Sequence, residues 1–116
     1  MTHYRLSISW TRILPTGFAN NISASGIQYY KNLLDELNAN GIKPLVTLYH
    51  WDHPQIIEEM GGWLNEDMIK YFADYVTIVF RELGPKVKFF VTINEPNVFC
   101  DLSYSGGSLA PGRHTD

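Results

Sequence analysis

The sequence predicts an α/β chain in which three strands alternate with two helices, in the order β-α-β-α-β. Stretches rich in apolar and β-branched residues alternate with stretches of helical periodicity. Links from a helix into a strand are short, links from a strand into a helix are long, and polar residues gather where strands end. Because right-handed β-α-β crossovers make neighbouring strands parallel, these polar ends are expected at one edge of a single sheet.

The first strand is expected from Tyr4 to Ile13, where apolar and polar residues alternate with a period of two. The residues divide into two faces: Leu6, Ile8 and Trp10 on one, Arg5, Ser7 and Ser9 on the other. The apolar face would pack against helices. The polar face fits the functional interior of a barrel or, alternatively, the solvated side of an edge strand.

A loop rich in Pro, Gly, Asn and Ser is expected from Leu14 to Ser25, and a helix from there to about Asn40. The helix has one apolar stripe at helical spacing, made of Ile27, Tyr30, Leu34 and Leu37. Gly41 is placed to close the helix in the left-handed conformation. The second strand, Leu45 to Tyr49, is nearly all apolar, as expected for a strand covered on both faces.

A second long loop is expected from His50 to Leu64, with Asn65 as the N-cap of the second helix. The predicted apolar stripe of that helix is Ile69, Phe72, Ala73, Val76, Val79, Phe80 and Leu83. Gly84 and Pro85 would end it. The third strand is expected from Val87 to Ile93, followed by a stretch, Asn97 to Asp116, that is mostly loop with room for one helical turn.

Pro96 cannot continue a sheet ladder, so the third strand places Glu95 at its carboxyl end beside Asn94. A surface glutamate in a turn is the alternative interpretation. The long loops lie at this same end of the sheet, and long loops in compact α/β units are usually functional. This asymmetry favours part of a (β/α)₈ barrel, with residues 1–116 as one incomplete barrel domain. A doubly wound sheet is the alternative, but no strand is followed by a G-x-G-x-x-G turn.

The composition is that of a globular chain: 45% of the 116 residues are hydrophobic and 14% aromatic. A net charge of −3 gives no reason to expect nucleic acid or an anionic membrane as a partner. No apolar run has the length of a membrane-spanning helix, and the N-terminus lacks the core of a signal peptide, unless the true start lies upstream. Cys100 has no second cysteine to pair with, and we expect it to be a small core residue. Compartment, secretion of a longer parent and oligomeric state stay open.

Glu95 is the leading candidate for a general acid/base, and Asn94 is placed to donate to a substrate hydroxyl. His50 and Trp51 follow the preceding strand, and a histidine beside an indole suits a sugar, which has hydroxyl edges and an apolar face. Arg5 would pair with a carboxylate inside the barrel and keep it ionised. We expect no metal and no cofactor, because the only suggestive pattern, His50 with Asp52 and His53, has no further ligand cluster.

Six motifs, taken together and in order, resemble glycoside hydrolase family 1, the β-glucosidase family. They are Tyr4–Ile13, Gly26–Tyr30, Val46–Asp52, Gly61–Trp63, Thr92–Pro96 and Ala110–Arg113. The resemblance covers essentially the whole chain and is nearest to animal members such as insect β-glucosidases. It implies a (β/α)₈ barrel and a small-molecule β-glycoside as the partner.

The resemblance implies a role for each matching residue. Glu95 corresponds to the acid/base of a retaining mechanism, and Asn94 to the contact with the sugar 2-hydroxyl. His50 corresponds to a ligand of the same sugar, Trp51 lies near that subsite, and Arg5 corresponds to the residue that contacts the nucleophile. Departures from the family pattern, such as Leu6 and Phe90, fall at packing positions.

The family nucleophile belongs to a Glu-Asn-Gly motif, which does not occur in this sequence. The chain corresponds to about strands two to four of a barrel that takes about 200 residues or more. We therefore expect a segment of a retaining β-glycosidase that carries the acid/base without the nucleophile and is inactive in isolation. The alternative is a non-catalytic, klotho-like binding protein that keeps the barrel fold.

Overall fold

A computed structural model describes residues 1–114. Three strands, β1 (His3–Ser7), β2 (Lys43–Tyr49) and β3 (Phe89–Ile93), form one parallel sheet in the order β1-β2-β3. The longest helices, α2 (Ala24–Ala39) and α4 (Met68–Leu83), connect the strands. The predicted β-α-β-α-β order with parallel strands is confirmed.

Shorter helical segments occupy the links that follow the strands. They are α1 (Trp10–Ile13), α3 (Gln55–Glu59), a 3₁₀ turn (Gly62–Leu64), α5 (Pro96–Phe99) and a π-helical stretch (Cys100–Ser105). A further 3₁₀ turn, Gly84–Lys86, links α4 to β3. The prediction of a loop after β2 was therefore too simple, because this link contains helix α3 around Ile57, which is buried in the core. After β3, Pro96 starts the helical turn α5, for which the prediction left room, and the π-helical stretch extends beyond it.

The first strand is shorter than the alternation predicted, because it ends at Ser7 instead of Ile13. Trp10 begins α1, where its ring stacks on Tyr75 of α4 with ring centroids 4.8 Å apart. Its indole nitrogen also donates to the Gly17 carbonyl at 3.1 Å. Burying this indole against a helix, with its N–H paired, outweighs continuing the strand to Ile13.

Helix α2 begins and ends much as predicted. The Ser23 hydroxyl caps it by accepting from the Gly26 amide at 3.0 Å, and Gly41 closes it with φ of 69°. Gly26 is needed for close packing, because a Cβ there would lie 1.9 Å from the Arg12 carbonyl oxygen.

The second helix differs from the prediction in its start and in its buried face. Its N-cap position is Asp67, and Asn65 instead accepts from the Asp67 amide at 3.0 Å. The fully buried residues of α4 are Met68, Tyr75, Ile78, Val79 and Leu83. Ile69 and Phe80, assigned to the apolar stripe, are exposed, because the apolar side of the helix is wider than the face that the sheet covers.

The core lies between the sheet and helices α2 and α4, with Val46, Leu48 and Leu34 fully buried in it. Cys100 is exposed, contrary to its expected core position, because nothing in residues 1–114 covers its side of the π-helical stretch. Among the helices of this part of the chain, none combines the length and the apolarity that a membrane span requires.

The isolated 116-residue chain is expected to lack a sharp thermal transition. Strands β1 and β3 each pair on one side only within the described sheet, and Phe89 on β3 is 47% exposed. Open strand edges with apolar side chains favour association and loose packing over one cooperative fold. Differential scanning calorimetry checks this prediction. A single sharp transition of the monomer, with equal calorimetric and van't Hoff enthalpies, would contradict it.

Candidate active site

The Arg5 side chain crosses the sheet from β1 to the end of β3. Its Nε donates to Thr47 Oγ1 on β2 at 3.2 Å, and its Nη2 donates to Asn94 Oδ1 at 2.5 Å. Thr47 is fully buried and Asn94 is 5% exposed, so both acceptors are sheltered from water. Since the Asn94 oxygen is occupied by a guanidinium, its amide nitrogen is the group left to donate to a ligand.

His50 lies directly after β2 and is exposed at the same edge of the sheet. Its Nδ1 is 3.1 Å from the Ser7 hydroxyl at the end of β1. The imidazole is thereby fixed through one nitrogen, and Nε2 remains for a ligand.

Glu95 directly follows the strand end, in the left-handed backbone region with φ of 42° and ψ of 61°. Its side chain is exposed, and its carboxylate accepts no hydrogen bond from residues 1–114. Trp51 is the second residue with positive φ outside glycine in the described chain, at 66°. Non-glycine residues rarely adopt this region, and such strain concentrates at functional sites.

The Trp51 indole is half-buried behind this edge. Its Nε1 donates to the Asn94 carbonyl at 2.6 Å, and its ring stacks on Phe99 with centroids 5.7 Å apart. His50 meets the Trp51 ring edge to face, at 5.9 Å between ring centroids.

A chain of polar groups connects the loops behind the site. The Tyr49 hydroxyl is 2.9 Å from His53 Nδ1, and His53 Nε2 is 2.9 Å from Glu58 Oε2. Arg113 donates to the other Glu58 oxygen through Nε at 2.8 Å and through Nη2 at 2.5 Å. Burial raises the pKa of the Tyr49 hydroxyl, so this group stays protonated. Both His53 nitrogens are therefore engaged within the protein.

This arrangement requires a glycine in the Gly61–Trp63 motif. A Cβ on Gly62 would lie 2.2 Å from a Glu58 carboxylate oxygen and 3.2 Å from His53 Nε2. Gly62 also has φ of 53°, a conformation that side-chain-bearing residues rarely adopt.

The structure brings all the sequence-predicted site residues to one region: Arg5, His50, Trp51, Asn94 and Glu95. Sequence reasoning placed Ser7 on the polar face of its strand but missed its bond to His50, and it missed Thr47 and the Glu58–Arg113 ion pair. A threonine inside an otherwise apolar strand was the available signal for Thr47. The Glu58–Arg113 ion pair had no signal in the sequence, because 55 residues separate its two members.

Comparisons with known proteins agree on one family. The sequence model of glycosyl hydrolase family 1 matches residues 1–116. β-Glucosidase 17 of Arabidopsis thaliana is 54% identical over 112 residues, which cover 95% of this chain and 22% of that protein. The cytosolic β-glucosidase of Cavia porcellus is 48% identical over 112 residues, which cover 97% of this chain and 24% of that protein.

The fold is similar to that of solved family members. The crystal structure of a rice β-glucosidase matches with a TM-score of 0.95 and 45% identity, over 99% of this chain and 24% of the rice chain. The chain thus spans about a quarter of the length of these relatives, and its open three-stranded sheet is part of a (β/α)₈ barrel. A family match over the whole sequence and a shared fold lead to one conclusion: this chain belongs to glycosyl hydrolase family 1.

Proposed function

We propose that this chain is the part of a retaining β-glycosidase, acting on β-glucosides, that supplies the acid/base and part of the sugar site. The observation that carries the proposal is Glu95, an exposed carboxylate in a strained backbone conformation, directly after an amide oriented by Arg5. The names of the relatives support the substrate class, since they are β-glucosidases.

In the first step, the Glu95 carboxylic acid donates its proton to the glycosidic oxygen as the bond from C1 to that oxygen breaks. A nucleophilic carboxylate from another part of the barrel bonds to C1 and forms a glycosyl-enzyme. In the second step, the Glu95 carboxylate takes a proton from water, the water oxygen bonds to C1, and the nucleophile leaves. Both steps need Glu95 close to the same oxygen position.

The neighbouring residues hold the sugar and the nucleophile. Asn94 Nδ2 donates to the 2-hydroxyl, a bond that strengthens in the oxocarbenium-like transition state. His50 Nε2 binds another hydroxyl of that sugar, and Trp51 lies beside it. Arg5 is a cation at the barrel interior that keeps the nucleophile ionised.

The alternative is a klotho-like binding protein without activity. Such a protein lacks the nucleophile but keeps the residues of this chain. A longer reading frame with a strand that ends in Glu-Asn-Gly favours the enzyme. A barrel that has lost this motif favours the binding protein.

Glu95→Gln is expected to reduce kcat/KM by a factor that depends on the leaving group of the substrate. The test uses a complete barrel in which residues 1–116 replace the matching quarter of the rice β-glucosidase. The kcat/KM for an alkyl β-glucoside should fall about 10²- to 10⁴-fold, because that oxygen must be protonated to leave. The first step with a dinitrophenyl β-glucoside needs no acid, so covalently bound glucose should accumulate, as measured by mass spectrometry of the intact protein. A variant of the rice enzyme with Gln for Glu forms such a covalent complex with glucose.

The matched control for Glu95→Gln is Glu66→Gln, which alters another exposed glutamate and should leave both substrates unaffected. Equal losses on the alkyl and dinitrophenyl substrates in Glu95→Gln would contradict the acid/base role.

Asn94→Ala in the same barrel should reduce kcat/KM for a β-glucoside about 10- to 100-fold, through loss of a bond to the 2-hydroxyl. The corresponding 2-deoxyglucoside cannot make that bond, so its hydrolysis should fall much less. Steady-state kinetics with the two aryl glycosides measures the difference. The same loss on both sugars would place Asn94 away from the 2-hydroxyl.

The purified 116-residue chain is expected to show no hydrolysis of aryl β-glucosides. A retaining mechanism needs a second carboxylate about 5–5.5 Å from the first, and the family nucleophile motif is absent from this sequence. A discontinuous assay at high protein concentration checks this prediction. Hydrolysis that disappears in the Glu95→Gln chain would show it to be wrong.

A further inference from the structure

The backbone of Glu95 adopts a conformation that its own sequence does not favour. Its φ of 42° and ψ of 61° lie in the left-handed region, where a Cβ crowds the following carbonyl. Such a residue keeps this conformation only when its surroundings determine it. The carboxylate itself has no partner in residues 1–114, so the conformation has to be held through the main chain.

Both main-chain polar groups of Asn94, the residue before Glu95, are hydrogen-bonded. The Asn94 amide donates to the Tyr49 carbonyl at 2.9 Å, as a continuation of the strand pairing. The Asn94 carbonyl accepts from Trp51 Nε1 at 2.6 Å, and this bond joins the turn after β2 to the turn after β3.

The main-chain carbonyl of Glu95 itself is held by Phe99, whose ring packs against Trp51. Glu95 O accepts from the Phe99 amide at 3.0 Å, the first bond of α5. The Phe99 ring is buried and stacks on the Trp51 ring, with an interplanar angle of 29°. Trp51 and Phe99 thus contact each other. They donate to the main-chain carbonyls on the two sides of the Glu95 Cα, which are those of Asn94 and of Glu95 itself.

We propose that Trp51 is a positioning residue for Glu95, acting with Phe99 to fix the backbone of the acid/base through the two carbonyl groups on either side of it. This inference rests on the function proposed for Glu95. It differs from a role of Trp51 as a hydrogen-bond donor to the sugar, because an indole has one N–H and the Asn94 carbonyl already accepts it.

The consequence is specific to proton transfer. A general acid has to lie within hydrogen-bond reach of the leaving oxygen, and a small displacement of Glu95 weakens protonation. Binding of the sugar ring through Asn94 Nδ2 and His50 does not involve the indole N–H. Loss of the N–H should therefore slow hydrolysis most for substrates whose leaving group has to be protonated.

The test uses Trp51→Phe in the complete barrel described above, which keeps an aromatic ring and removes the N–H. The kcat/KM for an alkyl β-glucoside is expected to fall about 10-fold or more, whereas that for a dinitrophenyl β-glucoside should change less than about 3-fold. Phe99→Leu, which removes the stacking partner, should show the same selectivity. The matched control is Trp63→Phe, which changes an indole that packs on Tyr49 and Phe72. It should leave the ratio of the two substrates unchanged.

A closer replacement guards against a packing effect. Benzothienylalanine incorporated at position 51 keeps the shape of the indole and replaces the N–H by sulfur, and it should reproduce the selective loss at an unchanged unfolding temperature. Equal losses on both substrates, or no loss with this isostere, would overturn the positioning role. A Glu95→Gln variant without leaving-group dependence would overturn the proposed function itself, and the inference with it.

Discussion

The guanidinium of Arg5 is the group on which the candidate site depends most. It bonds Thr47 on the middle strand and the Asn94 side chain at the end of the third, so one cation spans all three strands. The two acceptors are buried, and a buried acceptor left without a donor is costly. The interaction therefore fixes the Asn94 amide in one orientation, with its nitrogen free to donate, and ties the site to the parallel register of the sheet.

Behind that edge, the site rests on two layers of different chemistry. One is aromatic: Tyr49 contacts Trp63, Phe72 and Phe99 within a single cluster. The other is the polar chain from Tyr49 through His53 and Glu58 to Arg113. The aromatic rings supply rigid apolar area, while the ion pair joins the loop after β2 to the last loop of the described chain. Tyr49 belongs to both layers, and its main-chain carbonyl accepts a hydrogen bond from the Asn94 amide. Rigid elements thus support residues that lie on loops, as a preorganised site requires.

Local patterns predicted the elements well where burial and pattern agree. Strand β2 is largely buried and helix α2 buries one apolar stripe, and their predicted extents differ from the observed ones by about two residues, which is the usual uncertainty at element ends. The predictions failed where a single side chain decided the backbone. Strand β1 ends early because the Trp10 ring stacks on Tyr75, and a short helix forms in the expected loop after β2 because the core buries Ile57. Ile69 and Phe80 looked buried because periodicity shows which side of a helix is apolar but not how much of it is covered.

The sequence by itself determined the alternation of strands and helices, the edge at which polar residues gather, and the identity of Arg5, His50, Trp51, Asn94 and Glu95 as candidates, because these depend on residue type and short-range spacing. Its six motifs also indicated the family that the comparisons show. Only the tertiary structure decided which atoms are already paired: the Asn94 oxygen by Arg5, the Trp51 N–H by a carbonyl, and Glu58 by Arg113. Partners of this kind lie 43 to 89 residues apart, and parallel pairing rather than local pattern brings them together.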